Sequence, residues 1–172
     1  ASDVYKRQEL QTAVQQLNRR GDTNNKKPRS ISAYNKAIQS LETQITSAKD
    51  NANAVIQKPI RTVQEVNNAL QQVNQLNQQL TEAISQLQPL SNNDALKAAR
   101  LELENKINQT VQTDGMTQQS VDAYQNAKRE AQNESNTALA LINNGDAAEQ
   151  QITTETDRVN QQIANLTQAI NG

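Results

Sequence analysis

The residues of this chain that could carry out acid–base or metal chemistry are carboxylates, lysines and tyrosines, because the sequence contains no histidine and no cysteine. Their absence removes the usual zinc ligands, the thiol nucleophile and the imidazole base. Glu102 and Glu104 would diverge on a helix, whereas Glu130 and Glu134 lie one turn apart without an evident third ligand. We therefore predict that these carboxylates occupy solvated helix faces. The chain is predicted to have no catalytic, cofactor-binding or metal-binding residues and not to be an enzyme.

Two of the three tyrosines, which are the only aromatic residues in the chain, occupy matching positions. Tyr34 and Tyr124 each follow a serine that could begin a helix, Ser30 and Ser120 respectively. This pattern could be a repeated ligand contact, but an aromatic residue at a periodic position is typical of the core, here with its hydroxyl reaching water. So few aromatic residues leave little for the stacking of bases, and a net charge of −1 gives no general attraction to nucleic acid.

A basic cluster holds five of the 17 lysines and arginines within 11 positions. It could meet an acidic partner, a wall polymer or phosphate. It could equally be a solvated loop at the C-terminus of a helix, where cations suit the helix dipole. The counterpart loop, residues 112–119, has no basic residue, so the cluster is not a property of the repeat described below. Its members are Arg19, Arg20, Lys26, Lys27 and Arg29.

The spacing of the apolar residues predicts helices in spite of an unusual content of amides. The chain has 26 glutamines and 22 asparagines, a composition that also occurs in disordered segments. The apolar residues nevertheless recur every three or four positions, so the amides are predicted to line solvated helix faces. Glycine, proline and capping residues divide the chain into six helices: about Asp3 to Arg20, Ser30 to Pro59, Thr62 to Leu87, a start anywhere in Ser91–Asp94 to Asp114, Thr117 or Ser120 to Asn144, and Asp146 onwards.

The second half of the chain repeats the first. Residues 30–34 match residues 120–124 at an offset of 90, and residues 9–14 match residues 102–107 at an offset of 93. A third match, at an offset of 86, pairs the apolar positions of the third and sixth helices: Val66, Val73, Leu80 and Ile84 with Ile152, Val159, Leu166 and Ile170. The chain is therefore an internal duplication of a unit of three helices.

These patterns predict an all-α fold of two tandem three-helix bundles, residues 1–88 and 89–172, joined end to end as an elongated rod. Pro89 removes a backbone donor at the junction, so a break or a strong kink is expected there. The near-heptad spacing of the third helix would also suit a coiled-coil oligomer, but short loops favour pairing within the chain and a monomer. No apolar run approaches the roughly 20 residues that span a bilayer, so no direct membrane insertion is predicted.

The second bundle is predicted to be the less stable of the two. Its fifth helix has smaller or polar side chains where the second helix has large aliphatic ones: Lys128, Ala131 and Ser135 in place of Ile38, Leu41 and Ile45. A smaller buried side chain loses about 2–5 kcal/mol at each fully buried site unless the helices move closer together.

Amide-rich three-helix units in tandem, the motif Ser-x-x-Ala-Tyr at residues 30–34 and 120–124, and the segment Val-Asn-Gln-Leu-Asn at residues 73–77 form a specific combination. It resembles the giant staphylococcal extracellular-matrix-binding proteins, which are built of repeated helical modules named FIVAR and GA. The resemblance covers essentially the whole chain. The units are longer than a minimal albumin-binding domain, so albumin binding is not expected.

The resemblance implies a repeat module of a bacterial cell-surface adhesin, attached to the cell wall and extracellular, with a role in biofilm formation and virulence. Host fibronectin is the ligand that it implies, bound through multivalent weak contacts, and the neighbouring repeats of the same chain are further partners. The family provides no ligand motif that maps onto this sequence, so the ligand-binding residues are unknown at this point. The alternative is a structural spacer that projects other domains or braces the cell wall without a ligand of its own.

Overall fold

The computed structural model describes residues 2–172 and is all-helical, as predicted. No strand is present in this part of the chain, where the one extended pairing is an isolated antiparallel bridge between Lys26 and Pro89. The helices are α1 (Ser2–Gln16), α2 (Pro28–Gln57), α3 (Val63–Ser85), α4 (Asp94–Ile107), α5 (Gln118–Ile142) and α6 (Glu149–Asn171). Among residues 2–172, no helix combines the length and apolar character that crossing a membrane would require.

The chain forms two compact units, the first ending at Pro89 and the second beginning at Leu90. Each contains three helices that pack on one another in all three pairs. The helix is interrupted between Ser85 and Asp94, which confirms the predicted break at Pro89.

The core of the first unit is mostly aliphatic. α2 and α3 bury side chains at the helical spacing that the sequence predicts, because one face of each helix is apolar and the other carries amides. The fully or nearly fully buried side chains in this cluster are Leu10, Leu17, Ile45, Ala48, Ala52, Val66 and Val73.

Two helix ends in the first unit differ from the prediction. α1 ends at Gln16 rather than near Arg20, and its last turn tightens through bonds such as Leu17 N–H to Val14 O at 3.1 Å. α2 begins at Pro28, whose fixed φ suits the first helical position, so Ser30 is not the cap. The side chain of Ser30 is buried instead.

The predicted start of α3 is confirmed in atomic detail. The Thr62 hydroxyl accepts a hydrogen bond from Glu65 N–H at 3.0 Å, and the Glu65 carboxylate accepts one from Thr62 N–H at 3.2 Å. This reciprocal capping box satisfies two of the backbone donors that a helix start leaves free. α3 is shorter at its other end than predicted, because it stops at Ser85.

In the second unit, α5 begins as predicted, whereas α4 ends earlier and α6 begins later than predicted. The Thr117 hydroxyl caps α5 by accepting a bond from Ser120 N–H at 3.1 Å. α4 ends at Ile107, well before Asp114. α6 begins at Glu149 rather than Asp146, and its cap bond runs from Ala148 N–H to the Gln151 side chain at 2.8 Å.

The buried positions correct one of the three repeat offsets. α1 with the turn that follows it and α4 bury the same pattern of side chains, Leu10, Ala13 and Leu17 in the first and Leu96, Ala99 and Leu103 in the second. Their offset is 86, so the offset of 93 was wrong by seven residues. Seven residues are close to two helical turns, so such a slip leaves the apolar face unchanged and cannot be detected from periodicity alone.

Candidate functional site

The paired tyrosines belong to the cores of the two units. Tyr34 and Tyr124 are each 4% exposed, which supports the structural interpretation over a repeated ligand contact. The Tyr34 hydroxyl accepts a hydrogen bond from Gly21 N–H at 2.7 Å and thereby holds the α1–α2 loop. The sequence had suggested instead that this hydroxyl reaches water. Leu87 and the Tyr34 ring leave little room at Gly21, where an added Cβ would lie 2.4 Å from Leu87 and 3.3 Å from Tyr34.

Replacing Tyr34 by Phe is expected to lower the free energy of unfolding of the first unit by about 1 kcal/mol, because Gly21 N–H loses its acceptor. Binding to any matrix ligand should not change, since the ring stays in place. Chemical denaturation followed by circular dichroism measures the first effect. Tyr5→Phe is the matched control, because Tyr5 is 71% exposed and its replacement should leave stability unaltered. A ligand-binding defect specific to Tyr34→Phe would contradict the structural role.

Arg19 and Arg20 of the basic cluster bond to other residues of the first unit. Arg19 donates to Gln16 O at 2.9 Å and to Asn77 O at 3.0 Å, and thereby ties the end of α1 to α3. Arg20 donates to Leu17 O at 2.9 Å and pairs with Glu42 on α2 at 3.1 Å. Their guanidinium groups satisfy carbonyls that the end of α1 leaves free, as expected for cations near a helix C-terminus.

Lys26 and Lys27 are half-buried, and their backbone pairs with the segment that follows α3. Lys27 N–H donates to Gln88 O at 2.7 Å. The basic cluster therefore mainly stabilises one end of the first unit. Its charged groups do not converge on one anion-binding site.

The second unit contains a polar cluster where the first has aliphatic side chains. Ser135 on α5 is fully buried, and its hydroxyl donates to the Glu104 carboxylate on α4. Arg100 donates to Ser135 O at 3.0 Å and lies 3.9 Å from Glu104. The prediction that the two carboxylate pairs lie on solvated faces therefore holds for Glu102 and Glu130, which are exposed, but not for their partners.

The other half-buried carboxylate, Glu134 on α5, faces Glu155 on α6. Glu155 is 3% exposed, and within the described residues its Oε2 atom has no hydrogen-bond partner. Burial, followed by a hydrogen bond to Glu134 and the charge of Glu134, raises the pKa of Glu155 to about 7, against the opposing effect of Arg158. A hydrogen bond between two carboxyl groups requires one proton, so it forms in the molecules in which Glu155 is protonated.

Glu155 also lines a groove of about 650 Å³ between α5 and α6. The walls combine hydroxyl, amide and small apolar groups, and Arg158 adds a positive charge. Within residues 2–172, no three carboxylates come close enough to hold a metal ion. The groove therefore suits an organic group with hydrogen-bond donors better than a cation held by carboxylates alone.

Periodicity did not single out Glu155, although the repeat contained the signal. At the offset of 86, Glu155 takes the place of Ala69, a buried residue of the α3 core, and Arg158 takes the place of Gln72. A charged residue at the position of a core residue in the other repeat marks a buried charge. Glu155 was missed because only the apolar positions of the two halves were compared.

The chain matches the FIVAR domain family twice, over residues 13–81 and 99–167. These segments are offset by 86 residues, in agreement with the buried positions of α1 and α4. The matches cover well over half of the chain.

Among curated proteins, the chain is 57% identical over 163 residues to the extracellular matrix-binding protein EbhB of Staphylococcus aureus strain Newman. It is equally similar to the extracellular matrix-binding protein ebh of Staphylococcus aureus strain COL. In both cases the match covers 95% of this chain and 2% of the relative. This chain thus corresponds to a small part of proteins of that kind.

A solved structure from work on Embp-mediated adherence of Staphylococcus epidermidis to fibronectin is also similar. It is 31% identical, with a TM-score of 0.55, and the match covers 95% of this chain and 97% of that chain.

Proposed function

This chain belongs to the FIVAR domain family, and on that premise we propose that it is a non-enzymatic repeat module of a bacterial cell-surface adhesin. Its partner is host extracellular matrix, with fibronectin as the ligand. The observation that carries this proposal is the identity of 57% to extracellular matrix-binding proteins over 95% of the chain. The 31% identity to a structure from work on adherence to fibronectin supports the choice of ligand.

The surface of the two units favours weak contacts made many times. Large aromatic side chains dominate the binding energy of most protein interfaces, and Tyr5 is the one tyrosine that is exposed, since the other two are buried. The amide-rich faces can donate and accept hydrogen bonds, but water competes for each of them. One chain is therefore expected to bind weakly, and several linked chains to bind tightly through effective concentration.

A structural spacer is the second candidate, and the contacts of the first unit favour it. Tyr34, Arg19 and Arg20, which could have contacted a ligand, all bond within the unit. A repeat whose distinctive side chains serve its own packing can separate other modules without binding anything itself.

Binding of the purified chain to immobilised fibronectin distinguishes the two candidates. We expect dose-dependent binding by surface plasmon resonance, with a dissociation constant that falls at least about tenfold when two copies are linked in tandem. Immobilised albumin is the control surface and should remain unbound. An absence of binding by one, two and four copies would replace the adhesin proposal by the spacer.

A further inference from the structure

We infer that the groove between α5 and α6 is a binding site for a basic side chain, lysine or arginine, of the protein partner. The inference rests on the proposed function and specifies the chemistry of the partner at one place in the second unit. It stands on the position of Glu155, the walls of the groove, the charge of the unit and a comparison with the first unit.

The first observation is an acceptor without a donor. Glu155 lies on the groove wall and is 97% buried, and Oε2 has no partner among the residues described. A buried carboxyl oxygen without a donor is destabilising, and a guanidinium or ammonium group would supply the missing hydrogen bond together with a compensating charge. Glutamate has several rotatable side-chain bonds, so a small rotation carries the carboxyl to the groove surface when such a donor arrives.

The remaining charged groups around Glu155 set how a cation would bind. Glu134 faces it from α5, and Arg158 lies on its own helix. The charged residues Arg100 and Glu104 of α4 bond to Ser135 and to each other. A cation binds the ionised form of Glu155, and where Glu155 is still protonated its proton passes to solvent on binding. Arg158 is a competitor, because its charge already stabilises the ionised carboxylate.

The groove walls match the rest of a basic residue. Ala140 and Leu141 offer an apolar surface for the methylene stem, which lysine and arginine bury while their charged ends reach a polar group. Thr137, Asn144 and Thr154 surround that surface with hydroxyl and amide groups that can bond to a backbone. A volume of about 650 Å³ accommodates one such residue with its flanking peptide groups.

The charge of the second unit favours a basic partner at longer range. Residues 90–172 contain 11 acidic and six basic residues, a net charge of −5, whereas residues 1–89 contain seven acidic and 11 basic residues, a net charge of +4. The near-neutral total of −1 conceals this division. A unit with a net negative charge attracts basic segments and accelerates their association.

The first unit shows that the carboxyl is not needed for the fold. Ala69, which belongs to the hydrophobic core, occupies the position of Glu155 there, and the exposed Gln72 occupies that of Arg158. Glu155→Ala and Arg158→Gln therefore introduce residues that the same architecture already accepts. They serve as matched variants with opposite expected effects.

The test is an NMR titration of the full 172-residue chain, with N-acetyl-arginine amide as the probe and N-acetyl-citrulline amide as the uncharged control. At pH 7.5 and low salt, the arginine probe should shift the amide signals of Thr137, Leu141, Thr154 and Glu155, and the citrulline probe should not. Glu155→Ala should weaken binding at least about tenfold, and Arg158→Gln should strengthen it about threefold. Binding at pH 5 should be at least about tenfold weaker, because protonation removes the charge on Glu155.

Shifts that persist in Glu155→Ala, or that arise equally with citrulline, would overturn the inference. The amide spectrum itself reports whether each variant is folded, so loss of binding cannot be confused with loss of structure. A chain that binds fibronectin but shows no arginine-dependent shifts leaves the adhesin proposal intact and removes the groove. A chain that binds the arginine probe but not fibronectin retains the groove as a site for a basic side chain and removes fibronectin as the ligand.

Discussion

On heating, the chain is expected to unfold in two transitions, with the second unit melting first. The two units have separate cores, and the second replaces aliphatic side chains of the first by smaller or polar ones. At matched positions, Ala131 and Ser135 stand where Leu41 and Ile45 are buried, and Glu155 stands where Ala69 is buried. Each smaller side chain loses about 2 kcal/mol or more, and a buried carboxyl adds its desolvation penalty. Differential scanning calorimetry measures both transitions in the intact chain.

The transitions can be assigned with a matched pair of variants. Leu17, in the turn directly after α1, and Leu103 in α4 are equivalent and both fully buried. Leu103→Ala should move only the lower transition, and Leu17→Ala only the upper one, each by a loss of about 2–5 kcal/mol. For units of this size, that corresponds to a fall of at least about 10 °C in Tm. A lower transition that responds to Leu17→Ala, or one cooperative transition affected by both, would refute the expected order.

Raising the pH is expected to destabilise the second unit through Glu155. Its pKa is about 7 in the folded unit and near 4.5 in the unfolded chain, so the folded state retains a proton that the unfolded state releases. The corresponding stability is complete below pH 4.5 and is lost as the pH rises through 7. The total loss is about 3 kcal/mol, which should lower the Tm of the second unit by at least about 10 °C between pH 4.5 and pH 8.

Glu155→Ala should abolish this pH dependence and raise the stability of the second unit most at pH 8. The first unit provides an internal control of the opposite sign. A hydrogen bond from Lys58, followed by one from Thr62 N–H, lowers the pKa of Glu65, so its contribution is present at neutral pH and lost on acidification. A second unit whose Tm is the same at both pH values, or whose pH dependence survives Glu155→Ala, would exclude the shared proton.

The class of fold could be predicted from the sequence because several helix boundaries are marked by residues with a clear capping chemistry. Thr62 and Glu65 form a capping box that few other structures would use, and Thr117 caps α5 through the same hydroxyl chemistry. Where several polar residues could begin a helix, the choice depended on tertiary packing. Ser30 was predicted as a cap, but Gln88 of a distant segment uses its hydroxyl, and Pro28 begins the helix one turn earlier.

The candidate site was less predictable for a related physical reason. Periodicity identifies apolar residues on one face of a helix, so it detects a core and passes over a charge within that core. Glu134 and Glu155 lie on different helices, and their approach depends on the packing of α5 on α6. Nor could the sequence alone reveal that Arg19 would cross to Asn77, since the two are 58 residues apart.

The bonds around Gln88 have a mechanical meaning for a chain that is held at both ends. Lys27 N–H donates to Gln88 O at 2.7 Å, and Gln88 N–H donates to the Ser30 hydroxyl at 3.0 Å. Tension applied beyond Pro89 therefore reaches the start of α2 before it reaches the end of α3. Both bonds must break before α3 can be peeled from its C-terminus, so this clamp resists tension that is applied at that end of the first unit.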